Sequence, residues 1–136
     1  MKKQKFLTLG LIICIVLISG CTSSNDTSST VADPAGFNSE FETFWTDVVT
    51  STQTEHNYQL FLGYKIDSHN NLIISTTNSW FNLKSHEQHQ LLDMIGKVYN
   101  GMRVKYGLTE GNVILKDNIG SEICRYTVWG NIKCSY

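Results

Sequence analysis

The sequence predicts an α+β domain in which two amphipathic helices pack on one face of a roughly five-stranded antiparallel sheet. Two observations support this fold class. Apolar residues recur at helical spacing in two segments, and they alternate with a period of two in the other segments of the domain. The predicted order of elements is helix, hairpin, helix and three-stranded meander, so the helices can cover one face of the sheet. The chain has 136 residues, 41% of them hydrophobic and 17% charged, which suits one globular domain.

The first helix is predicted from a stripe of large apolar residues at the start of the domain. Its members fall on one helical face: Phe37, Phe41, Phe44, Trp45, Val48 and Val49. Ser39 and Glu42 have the spacing of a capping box at the helix start. Because stripes of this kind pack in a core more often than against a ligand, we interpret it as core. The acidic residues Glu40, Glu42 and Asp47 predict that the other side faces solvent.

A β-hairpin is predicted after the first helix. The segment LFLGYKI (60–66) alternates between two faces, as a half-buried strand does. The residues SHNN (68–71) have turn composition, since asparagine tolerates left-handed backbone angles. The segment LIISTT (72–77) then returns as the second strand.

The second helix is predicted from about His86 to Tyr106. Ser85 and Gln88 have capping-box spacing, and Gly107 lies where a left-handed terminator is expected. Its buried stripe is predicted to be Leu91, Leu92, Ile95, Val98, Tyr99 and Met102. Gly96 and Gly101 weaken a helix by up to about 1 kcal/mol each relative to alanine. Packing must therefore stabilise this helix, and a glycine in it is expected to mark close approach to the sheet.

The rest of the chain predicts a meander that carries two cysteines. Its strands are predicted at 112–116, 121–129 and 132–136. If Val128 pairs with Ile132 across a three-residue loop, then Cys124 and Cys134 share a face as diagonal neighbours. Such neighbours lie about 7–8 Å apart, which is long for a disulfide. Two alternatives stay open: a disulfide formed through a bulge or a shifted register, and two buried free thiols.

One group of side chains has the spacing of metal ligands. His86, His89 and Asp93 follow each other at steps of three and four on the second helix, so they lie near one side of it. A metal site there would need a further ligand, and His56 or His69 would have to fold nearby. The competing interpretation, which we favour, is a polar first turn that faces water. Motifs for zinc-binding cysteine pairs, activated serines or phosphate loops are absent from the sequence, so we predict no cofactor.

Exposed aromatic residues are the second candidate for function. Trp80 and Phe81 lie in the segment before the second helix, and Trp129 lies beside the last turn. Such residues can bind a peptide, a glycan or a partner protein. They can equally seal the ends of the core, which is the more common arrangement. The last strand (132–136) also offers an edge that could recruit a partner strand.

The first 21 residues have the organisation of a secretion signal. Three lysines precede an apolar run over residues 6–18, which is short for a spanning helix of about 20 residues. The run ends in LISGC (17–21), which resembles the lipobox of prokaryotic lipoproteins. The resemblance implies that residues 1–20 are a signal peptide that is removed. It also implies that Cys21 becomes the first residue and carries fatty acyl chains, such as palmitate.

The composition after Cys21 divides the chain further. Residues 21–36 are rich in serine and threonine and predict a flexible tether, and residues 37–136 form the predicted domain. Without the lysines of the signal, eight basic residues remain against twelve acidic ones, a formal charge near −4. Because the basic residues are scattered along the sequence, we do not expect nucleic-acid binding.

These observations predict a membrane-anchored envelope lipoprotein on the extracytoplasmic face of the cell membrane. Its lipid anchor at Cys21 makes the membrane its first partner, and an envelope protein or a glycan is a second. The domain is expected to be a non-catalytic binding or structural module. The alternative is a small metal-dependent enzyme that uses His86, His89 and Asp93.

Overall fold

A computed structural model of the protein describes residues 34–108 and 111–136. Within these residues it has two α-helices, one 3-10 helix and one five-stranded sheet, which confirms the α+β class. The elements are α1 (Pro34–His56), β1 (Phe61–Ile66), β2 (Leu72–Thr76), the 3-10 helix (Asn78–Asn82), α2 (Ser85–Lys105), β3 (Val113–Lys116), β4 (Glu122–Tyr126) and β5 (Ile132–Cys134). One helix precedes the first two strands, and the other precedes the last three. The strands lie in the order β1-β2-β3-β4-β5.

The sheet is mixed, so the prediction of a purely antiparallel sheet is wrong. Strands β2 and β3 run parallel, with Leu72 beside Val113 and Ile74 beside Leu115. The other three neighbouring pairs are antiparallel. The reason is that α2 lies between β2 and β3 and returns the chain to the end of the sheet where β2 began, as parallel neighbours require. Apolar alternation reports the face of each residue, but it carries no information about strand direction.

Both helices pack into one hydrophobic core with the strands. The ring of Trp45 on α1 lies 5.3 Å from that of Phe61 and 5.1 Å from that of Tyr64, both on β1. The ring of Phe41 lies 5.7 Å from that of Tyr99 on α2, so the helices also contact each other. The predicted stripe of α1 is therefore core: Phe37, Phe41, Phe44, Trp45 and Val48 are buried, and Val49 is partly buried against them.

The starts of both helices differ from the predictions. Helix α1 begins at Pro34, so Ser39 lies inside the helix and does not cap it, and residues 34–36 belong to the helix and not to the tether. Proline suits a first helical turn because its missing N–H would have no partner there. At the start of α2, Glu87 accepts the N–H of Lys84 at 2.9 Å and fills the role that spacing assigned to Gln88. The left-handed terminator of α2 is confirmed, since Gly107 has φ +69°.

Candidate functional site

The predicted lipidation site, Cys21, lies outside the described residues. The same holds for residues 1–20 and for most of the tether. In residues 34–108 and 111–136, the helices are too short or too polar to cross a membrane.

Two of the acidic residues on α1 that were expected to face solvent accept hydrogen bonds from other side chains. Glu40 accepts hydrogen bonds from Lys105 at 2.8 Å and from Tyr106 at 2.6 Å, and Glu42 accepts one from the hydroxyl of Tyr64.

The three aromatic residues predicted as a binding surface are not on one surface. Trp80 is 0% exposed, and its ring lies 6.2 Å from that of Phe61, so its assignment to an exposed surface is wrong. The physical reason is that the 3-10 helix folds onto the core, and the side-chain amide of Gln88 fastens it there by donating to the carbonyl of Trp80 at 3.0 Å. Phe81 and Trp129 are 47% and 86% exposed.

Phe81 and Trp129 lie at opposite ends of the β4–β5 hairpin. Phe81 packs edge-on against Tyr136, which follows the end of β5. Trp129 lies in the turn that joins the strands, where Thr127 donates to the carbonyl of Asn131. They therefore do not combine into one aromatic patch.

Cys124 and Cys134 form a disulfide between directly opposed positions of β4 and β5. The predicted diagonal register is wrong, because Tyr126 and not Val128 pairs with Ile132. The turn is two residues longer than the loop assumed from the sequence, and this shift moves Cys134 directly opposite Cys124. Their Cα atoms are 4.0 Å apart.

Polar side chains surround this disulfide, and we call the group the disulfide corner: Cys124, Cys134, His89, Gln88 and Tyr136. The ring atom Nε2 of His89 lies 3.7 Å from Sγ of Cys134. The hydroxyl of Tyr136 lies 3.2 Å from Sγ of Cys124 and donates to Oε1 of Gln88 at 2.7 Å. The first turn of α2 and the C-terminal residues thus meet at the two sulfur atoms.

The structure does not bring the predicted metal ligands together. In the described part of the chain, no three His, Cys, Asp or Glu side chains form a group that could hold a metal ion. The carboxylate of Asp93 instead accepts a hydrogen bond from Lys97 at 2.6 Å. His56 stacks on Tyr58 at the end of α1, and His69 lies in the β1–β2 turn.

A second candidate surface is the side of the sheet opposite the core, which we call the open sheet face. The strand register places these residues on it: Lys65, Ile73, Ser75, Ile114, Lys116, Glu122, Arg125 and Lys133. Leu62, in the bulge of β1, lines a groove with Lys65, Ile73 and Ser75 of this face. One cross-strand row runs through all five strands, namely Lys65, Ile73, Ile114, Arg125 and Lys133. The row has apolar residues at its centre and basic residues at both ends. Beside it, a shallow groove of about 270 Å³ lies at the bulge of β1 between Leu62 and Ser75.

The open sheet face is positively charged, although the domain as a whole is acidic. Four of the eight basic residues that follow Cys21 lie on it, with Glu122 as the acidic residue among its described members. The carboxylate of Glu122 is paired with Arg125 at 2.7 Å. The hydrogen bond from Arg125 lowers the pKa of Glu122, burial opposes the effect, and the nearby charge of Lys116 adds to it. Sequence reasoning missed this face because its basic residues come from four different strands.

Comparisons with protein-family models, with curated proteins and with solved structures find no match to this chain. The features that bear on function are the disulfide corner, the open sheet face and the N-terminal sequence.

Proposed function

We propose that this protein is a lipoprotein, anchored through acylated Cys21, whose domain is a binding module on the extracytoplasmic face of the membrane. The observation that carries the proposal is LISGC (17–21) at the end of a cationic and apolar leader. A cysteine sulfur can take up a diacylglyceryl group as a thioether, and at about 0.8 kcal/mol per buried CH₂ two acyl chains anchor a protein stably. The disulfide between Cys124 and Cys134 supports export, because disulfides persist in oxidising compartments.

We propose further that the open sheet face binds the anionic headgroups of the same membrane. The tether that the composition of residues 22–33 predicts would reach about 20 Å and keep the domain close to the lipid surface. Each lysine or arginine near an anionic leaflet contributes about 1 kcal/mol of attraction, within a Debye length of about 8 Å. Because the acidic residues of the described segments, apart from Glu122, are not among those placed on this face, the charge distribution favours one orientation of the domain.

The apolar residues of the open sheet face suit the same partner. Leu62 is 56% exposed, and Ile73 is half-buried between Lys65 and Ile114 in the cross-strand row. Lysine and arginine stems can cover apolar surface while their charged ends reach outward. A face of this composition is complementary to the boundary between headgroups and acyl chains.

Replacing Cys21 by serine is expected to release the protein from the membrane. Wild-type protein should sediment with membranes and have the mass of a chain that starts at an acylated Cys21, because the two chains hold it there. The variant should appear in the soluble fraction without that added mass. Cys14→Ser is the matched control, since Cys14 lies inside the apolar run without small residues before it. Firm membrane association of Cys21→Ser without any lost lipid mass would refute the anchor.

Reversing charges on the open sheet face is expected to weaken binding to anionic vesicles by at least about 10-fold. The reason is that each basic residue near an anionic surface contributes about 1 kcal/mol of attraction. The test uses Cys21→Ser protein without residues 1–20, so that neither acyl chains nor the apolar leader can hold it on a vesicle. Binding is measured by co-sedimentation with vesicles of phosphatidylglycerol and phosphatidylcholine. Lys65→Glu with Lys133→Glu removes two exposed cations of this face. Lys84→Glu with Lys97→Glu changes the net charge equally at exposed positions of α2 and its cap.

The two double variants separate a specific face from a general charge effect. The open-face variant should lose binding while the α2 variant retains most of it, and 0.5 M salt should release the unacylated chain from the vesicles. Equal losses in both variants, or no preference for anionic over neutral vesicles, would contradict membrane docking. In that case, an envelope protein or glycan partner would replace the membrane as the candidate for this face.

A further inference from the structure

The two sulfur atoms of the disulfide corner differ in accessibility. Cys124 is 1% exposed and belongs to the core cluster. Cys134 lies on the edge strand β5 and is half-buried. A shallow groove of about 220 Å³ lies at the same edge of the sheet, and Cys134 and Ser135 are among the residues that line it. A thiol from solution can therefore approach Cys134, while the core shields Cys124.

Each sulfur also has its own polar neighbour. The exposed imidazole of His89 lies 3.7 Å from Sγ of Cys134, where it can accept a thiol proton and then, as a cation, stabilise the thiolate. The hydroxyl of Tyr136 lies 3.2 Å from Sγ of Cys124, and it could donate to a thiolate there by giving up its hydrogen bond to Oε1 of Gln88.

We propose that the Cys124–Cys134 disulfide is a thiol–disulfide exchange site, with Cys134 as the exchanging sulfur and His89 as its proton acceptor. Its substrates are exposed thiols, or the disulfides that they form, in the compartment that the domain faces. This activity goes beyond the proposed binding function and does not depend on it. The hydroxyl of Tyr136 can stabilise Cys124 as it leaves only by turning its proton from Oε1 of Gln88 to the sulfur.

The exchange conserves atoms and electrons. An incoming thiolate attacks Sγ of Cys134 and forms a mixed disulfide, the bond to Cys124 breaks, and the electron pair leaves on Cys124, which then takes up a proton. A second thiolate attacks the incoming sulfur of the mixed disulfide and releases Cys134 as a thiolate that is then protonated. Two external thiols are thereby oxidised to one disulfide, and the protein disulfide is reduced to two thiols. The reverse reaction starts from the thiolate of Cys134 beside His89.

The test measures which cysteine reacts and whether His89 controls it. The full chain carries Cys14→Ser and Cys21→Ser, so Cys124 and Cys134 are its remaining cysteines, and it is kept in detergent. After reduction, iodoacetamide is added between pH 5 and 10, and mass spectrometry follows each cysteine. We expect Cys134 to react at least about 10-fold faster than Cys124, with half-maximal rate below the pH of about 8.5 typical of free cysteine.

His89→Gln should slow alkylation of Cys134 at pH 7 about 10-fold and move its half-maximal rate to higher pH. His86→Gln is the matched control, because His86 is an exposed histidine of the same helical turn. Circular dichroism checks that both variants remain folded. In the oxidised protein, reduced glutathione and a peptide with a single cysteine should each form a mixed disulfide at Cys134, trapped by acid; an adduct with either supports exchange and identifies the kind of thiol accepted.

Three results would overturn the proposal. One is faster alkylation at Cys124 than at Cys134. Another is the same pH profile in wild type, His89→Gln and His86→Gln, which would show that the histidine has no effect on the thiol. The last is a disulfide that reacts with neither thiol until the protein unfolds, as a purely structural bond would.

Discussion

Replacing Trp80 by alanine is expected to lower the free energy of unfolding by about 3–5 kcal/mol. The side chain is 0% exposed and is the largest of the fully buried ones in the described residues. Its removal would leave a cavity between the 3-10 helix and the sheet, next to Phe61. It would also loosen the segment whose carbonyl holds Gln88 at the start of α2.

Trp129→Ala is the matched control for this experiment. This substitution also removes a tryptophan side chain, but the side chain of Trp129 is 86% exposed. The free energy of unfolding should therefore change by less than about 0.5 kcal/mol. Urea unfolding followed by far-ultraviolet circular dichroism measures both variants. Equal effects of the two substitutions would show that Trp80 does not occupy the core position described for it.

Replacing Gly96 by alanine is expected to destabilise the domain by about 1–3 kcal/mol, although alanine is the better helix former. A Cβ atom at Gly96 would lie 2.3 Å from Cγ of Tyr126, which is the root of a buried ring and not a flexible end. Either α2 must move away from β4 or the tyrosine must leave its rotamer. The short distance between Gly96 and the ring of Tyr126 confirms that a glycine of α2 marks close approach to the sheet.

Gly101→Ala is the opposite case on the same helix. Among the described residues, no atom beyond the adjoining turns of α2 lies within 4 Å of a Cβ built there. The substitution should therefore raise the free energy of unfolding by up to about 1 kcal/mol through helix propensity. Urea unfolding of both variants gives the comparison. In a Tyr126→Ala background, Gly96→Ala should lose most of its penalty. A stabilising Gly96→Ala in the wild-type background would contradict the close packing of α2 on Tyr126.

Helical and strand periodicity were sufficient for the class of fold, because they depend on which residues are buried. The aromatic stripe of α1 and the terminator at Gly107 were both predicted from local sequence. The direction of β3 was not predicted from the sequence, because a parallel strand and an antiparallel strand bury the same alternating residues. The choice between a binding surface and a core seal stayed open for Trp80, since an irregular segment has no period that reports burial.

The candidate sites depend on register, which acts between segments that are distant in the chain. A difference of two residues in one turn decides whether Cys124 lies diagonal to Cys134 or opposite it. The contact between His89 and Cys134 joins residues 45 positions apart in the chain. Helical spacing relates His89 only to its neighbours on α2, so it suggested a metal ligand and could not indicate the disulfide. Lys65, Lys116, Arg125 and Lys133 form one face only after five strands are aligned.

The sequence by itself determined the fold class, the leader that predicts an anchor at Cys21, and the positions of the helices to within a few residues. These follow from local composition and periodicity, which need no partner segment. The tertiary structure decided the strand directions, the pairing of the cysteines, the burial of Trp80 and the positive face of an otherwise acidic domain. These depend on long-range packing, because residues far apart in the chain become neighbours only when the core forms.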